Sequence, residues 1–443
     1  MEEFLTPDFL EKAEAACADP MTRLARNAVV KSGIQATASD ARLMSRMQHE
    51  YSLELETGKV TNQQSSGRCW MFAALNTMRV QVMRKLNLSN FEFSQTYLFF
   101  YDKLEKANYF LEAVLSTFNE PVTGRLFSHL LISPVQDGGQ WDMLVSLVRK
   151  YGVVPKANMP EAFHSTNSRE LCRVLTSRLR GWARQLREAY AAGADMATLR
   201  ETKGQMLEKI YRILTISLGQ PPKTVLLETR DKEKNFVRVE GITPQEFFAR
   251  YVGWDLTEYV SLINAPTADK PFYRTFTVEY LGNVVGGQPI RYLNLPVSDL
   301  KDAAIAQMQA GEPVWFGCDV GKRLDGDWGS MDMEAYDDVA LLGSEEPLDK
   351  GGRLTYGDSL MTHAMVFQGV NLDEDGKPLR WKVENSWGDK RGHEGAYNMS
   401  DEWFEQYLYQ VVVNKKYLKP EHRTLLDMEP IALKPWDPMG SLA

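Results

Sequence analysis

The stretch from Thr61 to Trp70, TNQQSSGRCW, delivers a cysteine to the start of an apolar helical pattern running from Met71 to Met78. Gly, Ser and Asn before Cys69 disfavour regular structure, whereas Ala73, Ala74, Leu75 and Met78 favour helix. Arg79, Arg84 and Lys85 fall toward the C-terminal end, where the helix dipole favours cations. Cys69 is therefore expected at the positive end of a helix, where free N–H groups stabilise a thiolate and lower its pKa from about 8.5. A cysteine alone is most often a packing residue. Here it has company: His363 lies in THAMVF and Asn385 in WKVENSWG, which gives the chain order Gln63, Cys69, His363, Asn385. These are the parts needed for acyl transfer through a thiolate.

The elements that must hold these residues follow from local pattern. Thr362 to Val370 and Leu379 to Glu384 are apolar, β-rich runs separated by the turn sequence DEDG at 373–376, so His363 and Asn385 fall at the same end of a hairpin. Ser94 is a candidate N-cap for an aromatic-rich helix through Tyr97 and Phe100. DGGQ at 137–140 precedes a helix with Trp141, Leu144, Val148 and Tyr151 on one face and Gly152 at its end. Two helical runs, from Ser168 through Leu186 and from Leu199 to Leu218, read as a helical hairpin. A β-hairpin follows over Val225–Val239, and Thr243, Pro244 and Glu246 supply a capping box. A helix from Asp299 to Ala310 leads to the strand Pro313–Gly317, and residues 321–361, rich in Gly and Asp, read as loops. Asp325, Asp327 and Asp332 do not continue as a calcium-binding loop, so no metal is expected.

The motif around Cys69, with His363-Ala364 and Asn385-Ser386-Trp387-Gly388, resembles the papain superfamily of cysteine peptidases. Ser-Gly-Arg before the cysteine departs from papain's Cys-Gly-Ser and is similar to the bleomycin hydrolase and aminopeptidase C branch. The likeness extends to Asp137–Gln140, Glu312–Val314 and Trp436–Gly440, most of the chain. It implies an α+β, two-lobed papain-like fold with a large, mainly helical insertion and a thiol aminopeptidase acting on peptides; whether bleomycin-like amides are also hydrolysed the sequence leaves open. Cys69 would be the nucleophile, His363 its acid–base partner, Asn385 the group that orients the imidazole, and Gln63 an oxyanion donor. Gly138, Gly139, Trp387 and Ala443 are carried over as substrate-binding positions, Trp387 also shielding the His–Asn bond. The ending Lys434–Ala443 resembles an arm that enters the cleft, blocks its non-primed side and turns a terminal carboxylate toward the substrate's ammonium. The branch also implies a homohexamer, and no cofactor is required.

Cys69 and His363 are 294 positions apart, whereas papain-type sequences use about 130 to 150, so roughly 150 residues are additional. The expected division is an N-terminal extension packed on the core (1–60), a helical lobe carrying Cys69 (61–165), and a mainly helical insertion serving oligomerisation (166–270). A β-rich lobe with His363 and Asn385 (271–430) and the arm (431–443) complete it. A hydrophobic fraction of 44% with 25% charged residues fits a soluble globular chain, and a net charge of -8 argues against nucleic acid or anionic lipid as partner. The acidic N-terminus lacks a signal-peptide pattern, no apolar run spans a bilayer, and Cys17, Cys69, Cys172 and Cys318 show no CxxC spacing. A cytoplasmic enzyme without disulfides is expected. Two competing readings are a different Cys/His amidase or acyl transferase, whose histidine is usually oriented by a carboxylate, and a non-catalytic or nucleic-acid-binding relative.

Overall fold

The computed structural model describes residues 4–345 and 347–442, leaving aside the side chains of residues 44–46. Among these residues one sheet of 12 strands dominates, and its central order is Tyr259–Ile263, Leu408–Asn414, Val314–Cys318, His363–Leu372, Pro378–Glu384, Ala396–Ser400. The histidine strand His363–Leu372 is buried over its first eight residues, because both its faces are covered. Ala364 and Val366 join the cluster that contains Cys69, Trp70 and Met71. Met365 and Phe367 point the other way, among Phe316, Trp381 and Phe404, with Phe367 stacked on Phe316 at 4.0 Å. Alternation along one strand thus ties the site to both hydrophobic clusters.

The cysteine helix Cys69–Lys85 is buried on nearly every side, which suits a helix lodged between the sheet and the helix Gln95–Ser116. The expected helical hairpin is formed by Arg169–Ala191 and Met196–Leu218. Its buried residues, Leu171, Leu175 and Leu179 on one helix and Met206, Ile210 and Leu214 on the other, recur at helical spacing and pack on Gln95–Ser116. The apolar stripe of the pair is thereby spent within the chain. The β-hairpin is Val225–Arg230 with Phe236–Ile242, and the capping box starts Pro244–Phe247.

Two expectations need correction. Tyr259–Ile263 falls in the stretch assigned to the helical insertion, yet it pairs with Leu408–Asn414 inside the main sheet. Residues 321–361 are not merely loops: Ser330–Met331 pairs in parallel with Ala396–Ser400, and Asp337 and Asp349 cap short helices. Aspartates that read as loop residues act here as helix starts. Among the described residues no helix is long and apolar enough to cross a membrane.

Candidate active site

Cys69 is the first residue of its helix, and the preceding loop is held by buried polar contacts. Arg68, fully buried, donates to Ser66 Oγ at 2.9 Å, pairs with Glu161 at 2.9 Å, and lies over the rings of Phe72 and Phe99. Asp137 Oδ2 accepts the N–H of Gly67 at 3.0 Å, and the backbone carbonyl of Asp137 accepts from Trp70 Nε1 at 2.8 Å. Lys103 Nζ lies 2.7 Å from Asp137 Oδ1 and, with the Ser168 hydroxyl, holds that carboxyl well below its usual range despite burial. One carboxylate therefore couples the cysteine loop to the glycine loop.

Burial pushes the Cys69 thiol up to about 11, against the backbone N–H groups of Ala364 and Trp70, which act to lower it. The lowered value expected from helix position alone does not hold, because the same packing that brings the donors removes water from the charge. Burial likewise holds His363 down at about 4, against the opposing hydrogen bond that it donates to Asn385. Each group by itself is neutral near pH 7.

Asn385 Oδ1 lies 2.8 Å from His363 Nε2 and also accepts the N–H of Ser386 at 2.7 Å. Accepting from a backbone N–H identifies that atom as oxygen, so Nε2 must carry the proton and Nδ1 is the basic nitrogen. Trp387 stands 4.9 Å from the imidazole, centroid to centroid, and covers it. Gln63 joins the same cluster: its N–H donates to the Ser386 carbonyl at 2.8 Å, its Oε1 accepts from Ser386 Oγ at 2.6 Å, and its Nε2 donates to the Ser66 carbonyl at 2.5 Å. The structure thus brings together Gln63, Cys69, His363, Asn385 and Trp387.

The glycine pair lies beside Trp70. A Cβ at Gly139 would sit 2.5 Å from the Trp70 ring, so packing alone demands glycine there. The carbonyl of Gly138 is occupied by Lys106 Nζ at 2.7 Å. The C-terminal arm docks next to this loop. Asp437 pairs with Lys270 at 2.9 Å, the Met439 carbonyl accepts from Tyr292 at 3.1 Å, and the Ser441 carbonyl accepts from Gln140 Nε2 at 2.7 Å. Ser441 Oγ donates to the carbonyl of Met361 at 2.5 Å, two residues before His363. Ala443 lies outside the described residues.

Sequence reasoning missed Lys103, Lys106 and Gln140. The signal for the lysines was present: two ammonium groups on a helix face shared with Phe99 and Phe110 require buried partners.

The description "Peptidase C1-like family" matches residues 4–440. The chain is 48% identical over 440 residues to the aminopeptidase C of Streptococcus thermophilus, covering 99% of each. It is 43% identical over 434 residues to the bleomycin hydrolase of Homo sapiens, covering 96% of this chain and 95% of that one. The crystal structure of PepW from Lactobacillus rhamnosis superimposes with a TM-score of 0.98 at 48% identity, covering 100% of both chains.

Proposed function

Because the chain belongs to the Peptidase C1-like family, we propose that Cys69 is its nucleophile, His363 its acid and base, Asn385 the group that orients the imidazole, and Gln63 an oxyanion donor. The protein is a papain-like cysteine aminopeptidase with an α+β fold. The observation that carries the assignment of roles is the His363–Asn385 contact, which leaves Nδ1 basic on the residue adjoining Ala364, a member of the buried cluster that contains Cys69.

Burial disfavours a lone thiolate and a lone imidazolium, but transfer of the thiol proton to Nδ1 creates both together, as a pair of no net charge. The thiolate attacks the carbonyl of the substrate's first peptide bond. Negative charge moves to the carbonyl oxygen, where the Cys69 N–H and Gln63 Nε2 receive it. Collapse expels the amine, protonated by the imidazolium, and leaves a thioester. Water, deprotonated by His363, then releases the first residue and restores the thiol.

Substrates are peptides with a free N-terminus, and the arm ending at Ala443 limits how far they extend past the cysteine on the non-primed side. Gly138 and Gly139 flank the substrate's extended backbone, and Trp387 excludes water from the imidazole. The expected compartment is the cytoplasm and the expected assembly a homohexamer. Support for assembly comes from the helices Pro7–Ala16 and Pro20–Ser32, which bury none of their residues and expose Leu10, Met21, Leu24 and Val30. This supports a contact surface at the N-terminal extension more than at the helical pair. Products from matched free and N-acetylated peptides test the activity: cleavage of internal bonds in both sets would reject an aminopeptidase. Labelling by a thiol-directed epoxide, with Cys69→Ala as control, tests the nucleophile, and sedimentation tests the hexamer.

A further inference from the structure

His363 opens its strand, and the residues just before it belong to no helix or strand that would hold them. They leave the short helix Lys350–Tyr356 at Gly357, whose φ of 74° is left-handed, and run across the end of Val314–Cys318 before the histidine is reached. Three contacts fix them there. The Thr362 N–H donates to the Cys318 carbonyl at 2.9 Å, continuing the register in which Cys318 faces His363. Met361 lies so close to Gly317 that a Cβ there would meet its sulfur at 2.1 Å. The third contact is made by Asp319, which opposes Thr362 one step beyond the Cys318–His363 pair.

Asp319 is buried, and its side-chain partners are hydroxyls. Ser359 Oγ donates to Oδ2 at 2.8 Å, Thr362 Oγ1 donates to Oδ1 at 3.1 Å, and Tyr409 Oη donates to Ser359 Oγ at 2.7 Å. The carboxylate accepts both hydroxyls, so the direction of every bond in this relay is fixed. Tyr409 belongs to Leu408–Asn414 and Asp319 follows Val314–Cys318, so one side chain ties the ends of three central strands where the histidine emerges. Thr362 is exposed, yet its hydroxyl turns to the carboxylate, a charged acceptor that makes a stronger bond than a neutral one. An apolar side chain would hold the same strands without the desolvation of a carboxylate. What the carboxylate adds is direction, because its two oxygens set Ser359 and Thr362, four residues and one residue before His363.

We propose that Asp319 is a positioning residue for the reaction: through Thr362 and Ser359 it sets where the imidazole of His363 stands relative to the sulfur of Cys69. This rests on the thiol peptidase reading and deepens it. The imidazole is held at Nε2 by Asn385 and at its backbone by the tie to Asp319. Transfer of the thiol proton to Nδ1 needs both, because a misplacement of about 1 Å can lower a rate by about a hundredfold.

The test uses the full-length protein, an alanyl amide of a fluorogenic amine, and alkylation of Cys69 by iodoacetamide at pH 7, followed by mass on the peptide that carries it. Alkylation reports the thiolate–imidazolium pair without a bound substrate. Thr362→Val keeps the shape and removes the hydroxyl. Its kcat should fall about threefold to tenfold with KM unchanged, and alkylation of Cys69 should slow in step. Thr362→Ser keeps the hydroxyl and should hold both rates near the wild type. Asp319→Asn should also lower kcat, and adding Thr362→Val to it should lower kcat little further, since both changes cut one tie. A wild-type kcat in Thr362→Val, a loss of kcat with alkylation unchanged, or losses that multiply in the double variant would overturn the proposal. The two Thr362 variants carry the test if Asp319→Asn fails to fold. A His363→Ala variant that turns over and alkylates like the wild type would instead reject the reading of His363 as acid and base.

Discussion

Arg79 Nη2 lies 2.7 Å from Glu384 Oε1 with both side chains buried, and this pair joins the cysteine helix to the residue immediately before Asn385. Asn76 Nδ2 donates to the same oxygen at 2.8 Å, and Gln368 Nε2 donates to Glu384 Oε2. Burial pushes the Glu384 carboxyl above its ordinary value even against Arg79, so desolvation consumes much of the attraction. The pair specifies position more than it adds stability. Arg79→Met, which strands the carboxylate, should cost about 3–5 kcal/mol, whereas Glu384→Gln, which keeps a hydrogen-bonding partner, should cost less. Urea unfolding of both variants checks this, and equal losses would contradict it.

Cys69→Ser should remove nearly all turnover while substrate binding persists, because the hydroxyl cannot form a stable anion beside the same imidazole at neutral pH. His363→Ala should be as severe. Asn385→Ala should be milder, since it loosens the ring but leaves the proton carrier. Single-turnover kinetics distinguish these cases, and equal losses from His363→Ala and Asn385→Ala would count against an orienting role.

Gln63→Ala should lower kcat by about 10²–10³ with little change in ground-state affinity, because an oxyanion donor acts on charge that develops in the transition state. Its contacts to Ser66 and Ser386 also brace the loop, so a structural role alone would appear as a lower Tm with kcat preserved.

His363 is held at about 4 by burial, while the unfolded chain titrates near the ordinary 6.5. Between these values the unfolded state binds more protons, so stability rises with pH. The contribution is present above 6.5 and is lost as pH falls through 4, with a magnitude on the order of 3 kcal/mol. Urea midpoints measured from pH 7 to 4 should therefore fall more steeply in the wild type than in His363→Gln. Parallel slopes would assign the acid loss to other groups.

Removing Gly440 to Ala443 deletes the Ser441 contacts to Gln140 and Met361. Aminopeptidase activity should weaken, and N-acetylated peptides and internal bonds should become substrates. A truncated enzyme with an unchanged need for a free N-terminus would show that the arm does not measure the substrate.

What the sequence determined by itself was local. Small polar residues ahead of Ala73, Ala74 and Leu75 start a helix at Cys69, Thr243 and Glu246 close a capping box, and a four-residue turn sets His363 and Asn385 at one end of a hairpin. Each depends on neighbours within a few positions, where propensity and hydrogen bonding act directly. Only the tertiary structure decided the electrostatics and the seating of the arm. Cys69 lies at a helix start, as its sequence requires, but its thiol is raised because the sheet and the flanking helices exclude water, and no local pattern encodes that burial. Lys103 and Asp137, Arg79 and Glu384, and Gln140 and Ser441 are separated by 34, 305 and 301 positions, and charge or amide character alone names no partner at such range. Tyr259–Ile263 belongs to the sheet for the same reason: a short β-rich run becomes a central strand only when Leu408–Asn414 arrives to pair with it.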